Sequence, residues 1–402
     1  MTLFDHGLYM IRYLLSLATI LVTVLATACG SDSPAAPGDL VTTFDTIGGV
    51  VHVTNTGDAP PARLNLVVSI GPKTFAQTES PDEFGWVSSV ALGPDEAVFV
   101  ADAMNDEVRV FGLDGAHRRT FGRDGEGPGE FGYLHSLAWT GDRLLTLDGR
   151  LGRVTEFSAD GQVLGQRRSE GGLSGAPAGI RLFPVGPDET YQFAVGSLYV
   201  GHNSRGLTGD TLRWLDGPPR PPSVIICEYE GGTGIFFNPF AAGHGQTPGP
   251  GAVMYTAMTD IYRISVIGNG TDTLRVIERT LAPEPVLDDE WEAGNEEFRE
   301  FRAQRRGASC NPNAHTRPEM KPFVGGMHVA PDGKLWVRVI RTAGHRWEVF
   351  DPDGRLLGSV PVPEVKDRVV ASFGADHLVT IRQDTLDLDH VDVWRFETGA
   401  AR

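Results

Sequence analysis

The chain is 402 residues long and carries 52 Asp and Glu against 35 Lys and Arg, a formal net charge of −17. With no run of Lys or Arg, that balance excludes nucleic acid and anionic membrane surfaces as partners. Its 50 glycines and 27 prolines suit a turn-dense all-β domain, because many short strands require many turns.

In chain order, the first element is not part of the fold. Residues 13–28 are an apolar run of 16 that follows Arg12 and ends in Leu25-Ala26-Thr27-Ala28 before Cys29. A basic flank, a short apolar core and small residues before a cut describe a secretory signal peptide over residues 1–28, and the run is short for a membrane span. Met10 offers a more compact start than Met1, since Asp5 is unusual in such a segment. The end of the run resembles the bacterial lipobox, with Ala26 where Leu is commoner. That resemblance implies that Cys29 is lipid-modified and becomes the first residue of the mature chain. An ordinary secreted protein with a Cys at this place is the alternative. Residues 29–40, small, polar and Pro-containing, read as a flexible tether. Cleavage removes Asp5 and Arg12 and leaves the net charge at −17.

The folded domain, residues 41–402, announces itself by repetition. Pro81-Asp82-Glu83-Phe84-Gly85-Trp86 and the five residues after it recur 47 residues later from Pro128, with six of eleven positions identical. Each copy leads into an apolar strand reaching Asp102 or Asp148, a second reaching Phe111 or Phe157, and then Asp114-Gly115 or Asp160-Gly161. A period in the forties holding several short strands is the signature of a β-propeller blade. Further Asp-Gly turns at Asp216-Gly217 and Asp353-Gly354, a looser Asn269-Gly270, and a last strand near 391–396 bring the repeats to six. The fold expected is therefore all-β, a six-bladed propeller of four-stranded antiparallel blades. Residues 49–54 and 63–68 precede the first repeat and are expected to complete the sixth blade, so truncation before Val68 should damage the fold more than loss of the tether.

One stretch breaks the pattern. Residues 287–306 are charged, with acids in front and Arg behind, and place Trp291, Phe298 and Phe301 on one stripe. They predict one helix, within an insertion of about 283–320 between blades four and five. It either caps an exposed rim or acts as a lid over the central channel, with those three aromatics as lid residues. Two cysteines besides Cys29 remain, Cys227 and Cys310. An even pair in an oxidising compartment points to a disulfide, two buried free thiols being the alternative.

The run from Val98 to Phe111, with Val100-Ala101-Asp102 ending one strand and Arg109-Val110-Phe111 in the next, resembles the NHL-repeat signature. The connector from Phe121-Gly122 to Gly127-Pro128-Gly129-Glu130-Phe131 resembles the link between blades in that family. The mature chain is similar to bacterial six-bladed propeller lipoproteins of the TolB-like superfamily. The resemblance implies an extracytoplasmic, lipid-anchored propeller and assigns no activity.

Catalytic motifs are sparse. The Gly-rich connector 125–132 lacks a Gly-Lys-Ser/Thr ending and leads into a strand, so it reads as a turn. No Gly-x-Ser-x-Gly elbow or His-x-x-x-His zinc spacing occurs. Metal-dependent propeller hydrolases of the lactonase kind hold a cation with carboxylates and Asn at the starts of the innermost strands. The corresponding positions here are Ser88-Ser89, His135-Ser136, Phe183, Met327-His328 and Val369-Val370, a poor donor set for calcium. Ser88, His135, Ser136 and His328 are the channel-mouth candidates. Asp102 and Asp148 recur at one blade position and are expected to satisfy the same turn in each blade. Trp86, Tyr133, Trp139, Trp336 and Trp394 are expected in the core between blades. The expectation is a non-catalytic, monomeric binding or scaffold module without metal or cofactor, whose partner is an envelope protein, peptide or glycan. It meets the membrane only through its lipid. A lactonase-like hydrolase with an atypical metal site is the alternative.

Overall fold

Val98-Phe99-Val100 and its counterparts are too continuously apolar for a strand with a wet face, and the computed structural model buries them on both sides. The structure describes residues 38–72, 80–169, 181–186, 188–194, 198–203, 208–213, 224–268, 272–311, 315–366 and 371–399; Cys29 and the signal peptide expected over residues 1–28 lie outside these. A hairpin of β1 (Val41–Ile47) and β2 (Val50–Thr56) comes first, followed by β3 (Ala62–Ile70). Blade one is β4 (Val87–Gly93), β5 (Ala97–Asp102), β6 (Glu107–Gly112) and β7 (His117–Phe121). Blade two is β8 (Leu134–Thr140), β9 (Arg143–Asp148), β10 (Arg153–Phe157) and β11 (Val163–Arg168). Blade three is β12 (Leu182–Gly186), β13 (Glu189–Ala194), β14 (Leu198–Asn203) and β15 (Thr208–Arg213).

Two strands of an insertion follow, β16 (Val224–Tyr229) and β17 (Gly232–Phe237). Blade four is β18 (His244–Gly249), β19 (Val253–Met258), β20 (Arg263–Ile267) and β21 (Thr273–Arg279). The insertion resumes with α1 (Asp288–Gly294), α2 (Glu296–Gln304) and β22 (Ser309–Cys310). Blade five is β23 (Val324–Val329), β24 (Leu335–Val339), β25 (Arg346–Phe350) and β26 (Leu356–Pro361). Blade six takes β27 (Ser372–Phe373), β28 (His377–Gln383) and β29 (Asp389–Thr398) from the C-terminal end and β3 from the N-terminal end. Pairing of β29 with β3, from Val391 opposite Ile70 to Thr398 opposite Ala62, closes the ring of six blades.

All six residues of β5 are buried, as befits a strand covered by a neighbouring blade on each face. Phe99 of blade one meets Trp139 of blade two edge-on, with ring centroids 5.1 Å apart. The Asp-Gly turns need a left-handed residue, and Gly354 (φ +92°) also lets blade five close on blade four, since a Cβ there would lie 2.9 Å from Ile277. Trp139 and Trp336 sit in the core as expected, but Trp86 and Tyr133 do not: each is more than 40% exposed, at 44% and 43%.

Three expectations need correction. First, β2 does not join blade six. It runs parallel to β21, from Val51 opposite Arg275 to Asn55 opposite Arg279, and with β1 makes the blade-four sheet six-stranded. The reason lies in Asn55, whose buried amide donates to Gly354 O (3.0 Å) and accepts from Leu356 N (3.0 Å), so β2 seals the seam between blades four and five. Second, the last two strands of blade three, β14 and β15, both end by Arg213, ahead of Asp216-Gly217, so that pair does not join them; Asp216-Gly217 themselves lie outside the described residues.

Third, the helix expected over 287–306 is two helices that meet at Asn295. Gly294 there approaches Pro239 so closely that a Cβ would lie 2.8 Å from its ring, and the buried Asn295 side chain donates to Trp291 O (2.7 Å). Phe298 and Phe301 pack on Phe236 of the small sheet formed by β17, β16 and β22, and Trp291 lies on the His315 ring at 5.1 Å. All three aromatics therefore face the insertion itself. Cys227 and Cys310 are disulfide-bonded, joining β16 to β22 within that sheet. No helix among the described residues is long and apolar enough to cross a membrane.

Candidate functional site

The innermost strands of all six blades surround one cavity of about 280 Å³ on the propeller axis. Blade one contributes Ser88, Ser89 and Leu92, blade two His135, Ser136 and Leu137, blade three Arg181 and Phe183. Thr247 comes from blade four, His328 and Val329 from blade five, and Ser372 and Phe373 from blade six. All four channel candidates, Ser88, His135, Ser136 and His328, line this space. None of Trp291, Phe298 or Phe301 does.

Each strand presents these side chains because it packs edge-on against its neighbours at the narrow centre of the ring. Small hydroxyl residues there satisfy backbone donors of the next blade. Ser372 Oγ accepts from Leu92 N (3.1 Å), Ser89 Oγ from Leu137 N (3.0 Å) and Ser136 Oγ from Leu182 N (3.3 Å). The same bond thus joins blade six to one, one to two, and two to three. Ser88 instead donates to Leu134 O (2.7 Å).

His328 stacks on Phe373, with ring centroids 4.8 Å apart at 19°, and meets Trp347 edge-on at 5.7 Å. Burial away from water pushes its pKa down to about 4, helped by the positive charges of Arg181 and Arg338. His328 is therefore a neutral imidazole at pH 7. Burial lowers the Arg181 pKa as well, yet a guanidinium keeps its charge under any physiological condition.

No carboxylate lines the cavity among the described residues. Asp102 and Asp148 serve the turns at the blade rims instead. Asp102 accepts from Gly85 N (3.0 Å) and Trp86 N (3.1 Å) and pairs with Arg109 at 3.1 Å. Asp148 accepts from Gly132 N (2.6 Å), Arg150 N (2.9 Å) and Leu151 N (2.7 Å). Among the described residues, no group of three or more His, Cys, Asp or Glu is gathered to hold a metal. Hydroxyls, imidazoles and a guanidinium do not fit a hard divalent cation.

Sequence reasoning missed Arg181, Thr247 and Ser372. Arg181 immediately precedes β12, outside any strand pattern, and Thr247 sits in Gly245-Gln246-Thr247-Pro248, which shows no apolar alternation. The innermost strand of blade six is described over Ser372–Phe373; Val369-Val370 lie outside the described residues.

Residues 75–170 match the model of the DUF5128 family, described as a 6-bladed beta-propeller. No curated protein matches the chain. Among solved structures, a protein of Bacteroides fragilis is 13% identical, with 87% of this chain and 100% of that one covered and a TM-score of 0.45. Virginiamycin B lyase of Staphylococcus aureus is 10% identical over 83% of this chain and 99% of its own, with a TM-score of 0.39. BamB of Moraxella catarrhalis is 11% identical over 85% of this chain and 100% of its own, with a TM-score of 0.37. Likeness this remote carries no activity across. The propeller architecture stands on the chain's own strand pairing and on the family match over blades one and two.

Proposed function

We propose that this chain is an extracytoplasmic, lipid-anchored propeller that binds a small ligand in its axial cavity without transforming it. The cavity carries the reading. It is mostly apolar, ringed by a few fixed polar groups, and falls just below the roughly 300–1,000 Å³ usual for small-molecule sites. A binder needs shape, apolar contact and a few hydrogen bonds, and the described lining residues supply all three. A hydrolase of the lactonase kind needs a cation and a general base, and the described lining offers neither carboxylates nor a metal-holding cluster.

Thermal unfolding tests the reading. A ligand bound only by the folded state stabilises it by about 2.7 kcal/mol at a hundred times its Kd. A small-molecule library is expected to contain compounds that raise the Tm, whereas calcium, manganese, zinc and EDTA leave it unchanged. A metal-dependent rise coupled to ester or lactone cleavage would replace this reading with the hydrolase. Anchoring has its own test. The native chain should fractionate with membranes and incorporate labelled fatty acid, and Cys29→Ser should do neither. Retention of the Cys29→Ser chain in the membrane would refute the lipid anchor.

A further inference from the structure

Most polar side chains on the cavity wall are already bonded within the protein. Ser89, Ser136 and Ser372 accept backbone N–H groups across the blade seams, and Ser88 donates to Leu134 O. His135 and Arg181 are engaged as well. Thr247 and His328 differ. Thr247 is 3% exposed and lines the cavity, yet its hydroxyl bonds to no described residue. The ring nitrogens of His328 likewise bond to none, while Phe373 and Trp347 hold the ring in place. The strands that carry the two residues, β18 and β23, pack side by side. One side of the cavity thus offers a hydroxyl and an imidazole whose hydrogen bonds an occupant can complete.

Leu92, Leu137, Phe183 and Val329 are apolar parts of the same wall. An apolar cavity of about 150 Å³ is enough for benzene. A volume of about 280 Å³ therefore admits one ring with a substituent. The site also resists charge. Burial is the chief reason that His328 titrates well below its ordinary pKa, and a carboxylate or ammonium on a ligand would incur the same desolvation cost.

We infer that the axial cavity takes a small neutral phenol, its ring against the apolar wall and its hydroxyl on the side of Thr247 and His328. This rests on the cavity being a ligand site and adds the class of ligand. A hydroxyl both donates and accepts. It therefore suits Thr247, which can do either, and a neutral imidazole, which donates through one nitrogen and accepts through the other. A phenolic O–H, with a pKa of about 10, stays uncharged at neutral pH. Its flat ring makes close contact with apolar and aromatic side chains.

The test uses the full-length protein in non-ionic detergent, with phenol against toluene and 4-ethylphenol against 4-ethyltoluene as matched probes. Benzoate and benzylammonium serve as charged probes. Affinities are compared between the native protein and the double variant Thr247→Val/His328→Phe, which keeps the side-chain shapes and removes the polar atoms. Both proteins share one detergent, so partition into micelles cancels in the comparison. The phenol-to-toluene affinity ratio is expected to fall about fivefold or more in the variant. Toluene should bind both proteins alike, which separates loss of preference from misfolding. Thr247→Ser, which keeps the hydroxyl, should retain most of the preference. Native protein should bind phenol at least about tenfold tighter than either charged probe. A ratio unchanged in the double variant, or a charged probe bound as tightly as phenol, would overturn the inference while leaving a small-ligand propeller intact. Silence from every probe would overturn it too, and the binding reading would fall only if the wider library also gave no stabilising compound.

Discussion

Asp102 and Asp148 occupy one repeat position and meet the same need in different ways. Asp102 is fully buried, accepting from Gly85 N and Trp86 N beside its pair with Arg109, and Arg109 keeps Glu107 at 2.7 Å, so Asp102→Ala should cost about 3 kcal/mol, chiefly through its unsatisfied backbone donors. Asp148 is held mainly by backbone N–H groups, and Asp148→Ala should cost about 3 kcal/mol through several unsatisfied donors. Urea denaturation measures both. Neither variant should alter ligand affinity, because both carboxylates lie outside the cavity lining.

His328 gives a pH dependence whose sign is fixed. Its folded-state pKa is depressed from 6.5 to about 4, so as the pH falls the unfolded chain takes up a proton first. The stability associated with neutral His328 is whole above pH 6.5 and is lost progressively toward pH 4, by about 3 kcal/mol at the low end. His328→Phe keeps the stack on Phe373 and removes the titration. Its stability relative to the native chain should therefore rise by that amount between pH 7 and 4. Parallel stability curves for the two proteins would show that His328 does not titrate as argued.

At the scale of elements, the N-terminal strands have two distinct jobs. β3 closes the ring through β29, whereas β1 and β2 thicken blade four and cover its seam with blade five. Under that seam lies a buried network: Arg279 pairs with Glu348 at 3.3 Å, Tyr262 donates to Glu348 at 2.9 Å, and Arg279 donates to Gly57 O at 2.7 Å. The neighbouring carboxylate and burial together hold the Tyr262 phenol well above its ordinary pKa, burial being the larger cause. A chain starting at residue 61 loses the Gly57 acceptor and the Asn55 bridge. It should still unfold cooperatively, with Tm lower by roughly 5–10 °C. A chain starting at residue 72 lacks β3, exposes the edge of β29, and should aggregate instead of folding. Equal behaviour of the two truncated chains in calorimetry would contradict this division of labour.

For the whole molecule, the architecture was legible because blades one and two share six of eleven residues from Pro81 and Pro128 and then repeat the same strand and turn order, so their strand registers transfer. That transfer also brought Ser88, His135 and Ser136 to the axis, and the apolar run 335–337 did the same for His328. Where the repeat decays, the reading fails for physical reasons. A two-residue strand such as Ser372–Phe373 is too short to show a period, and Arg181 lies outside any strand. The parallel pairing of β2 with β21 leaves no trace in either strand's own pattern, since it is specified by Asn55 meeting Gly354 and Leu356 from a distant blade. The exposed Trp86 was placed wrongly because its alternation suits a core position, whereas Lys366 covers its ring at 3.5 Å from the rim. The insertion helices carried an apolar stripe that fits a lid as well as a local core, and only the partner sheet decides between them.

The central claim is that the propeller axis is a ligand site, and filling it is the most direct test. Leu92→Trp adds bulk to the cavity wall without touching the serine hydroxyls or Arg181. Ligand-observed NMR should find small molecules that bind the native protein and lose binding to Leu92→Trp, with unfolding of the variant still cooperative. Binding that survives in the filled protein would place the site elsewhere and contradict the account.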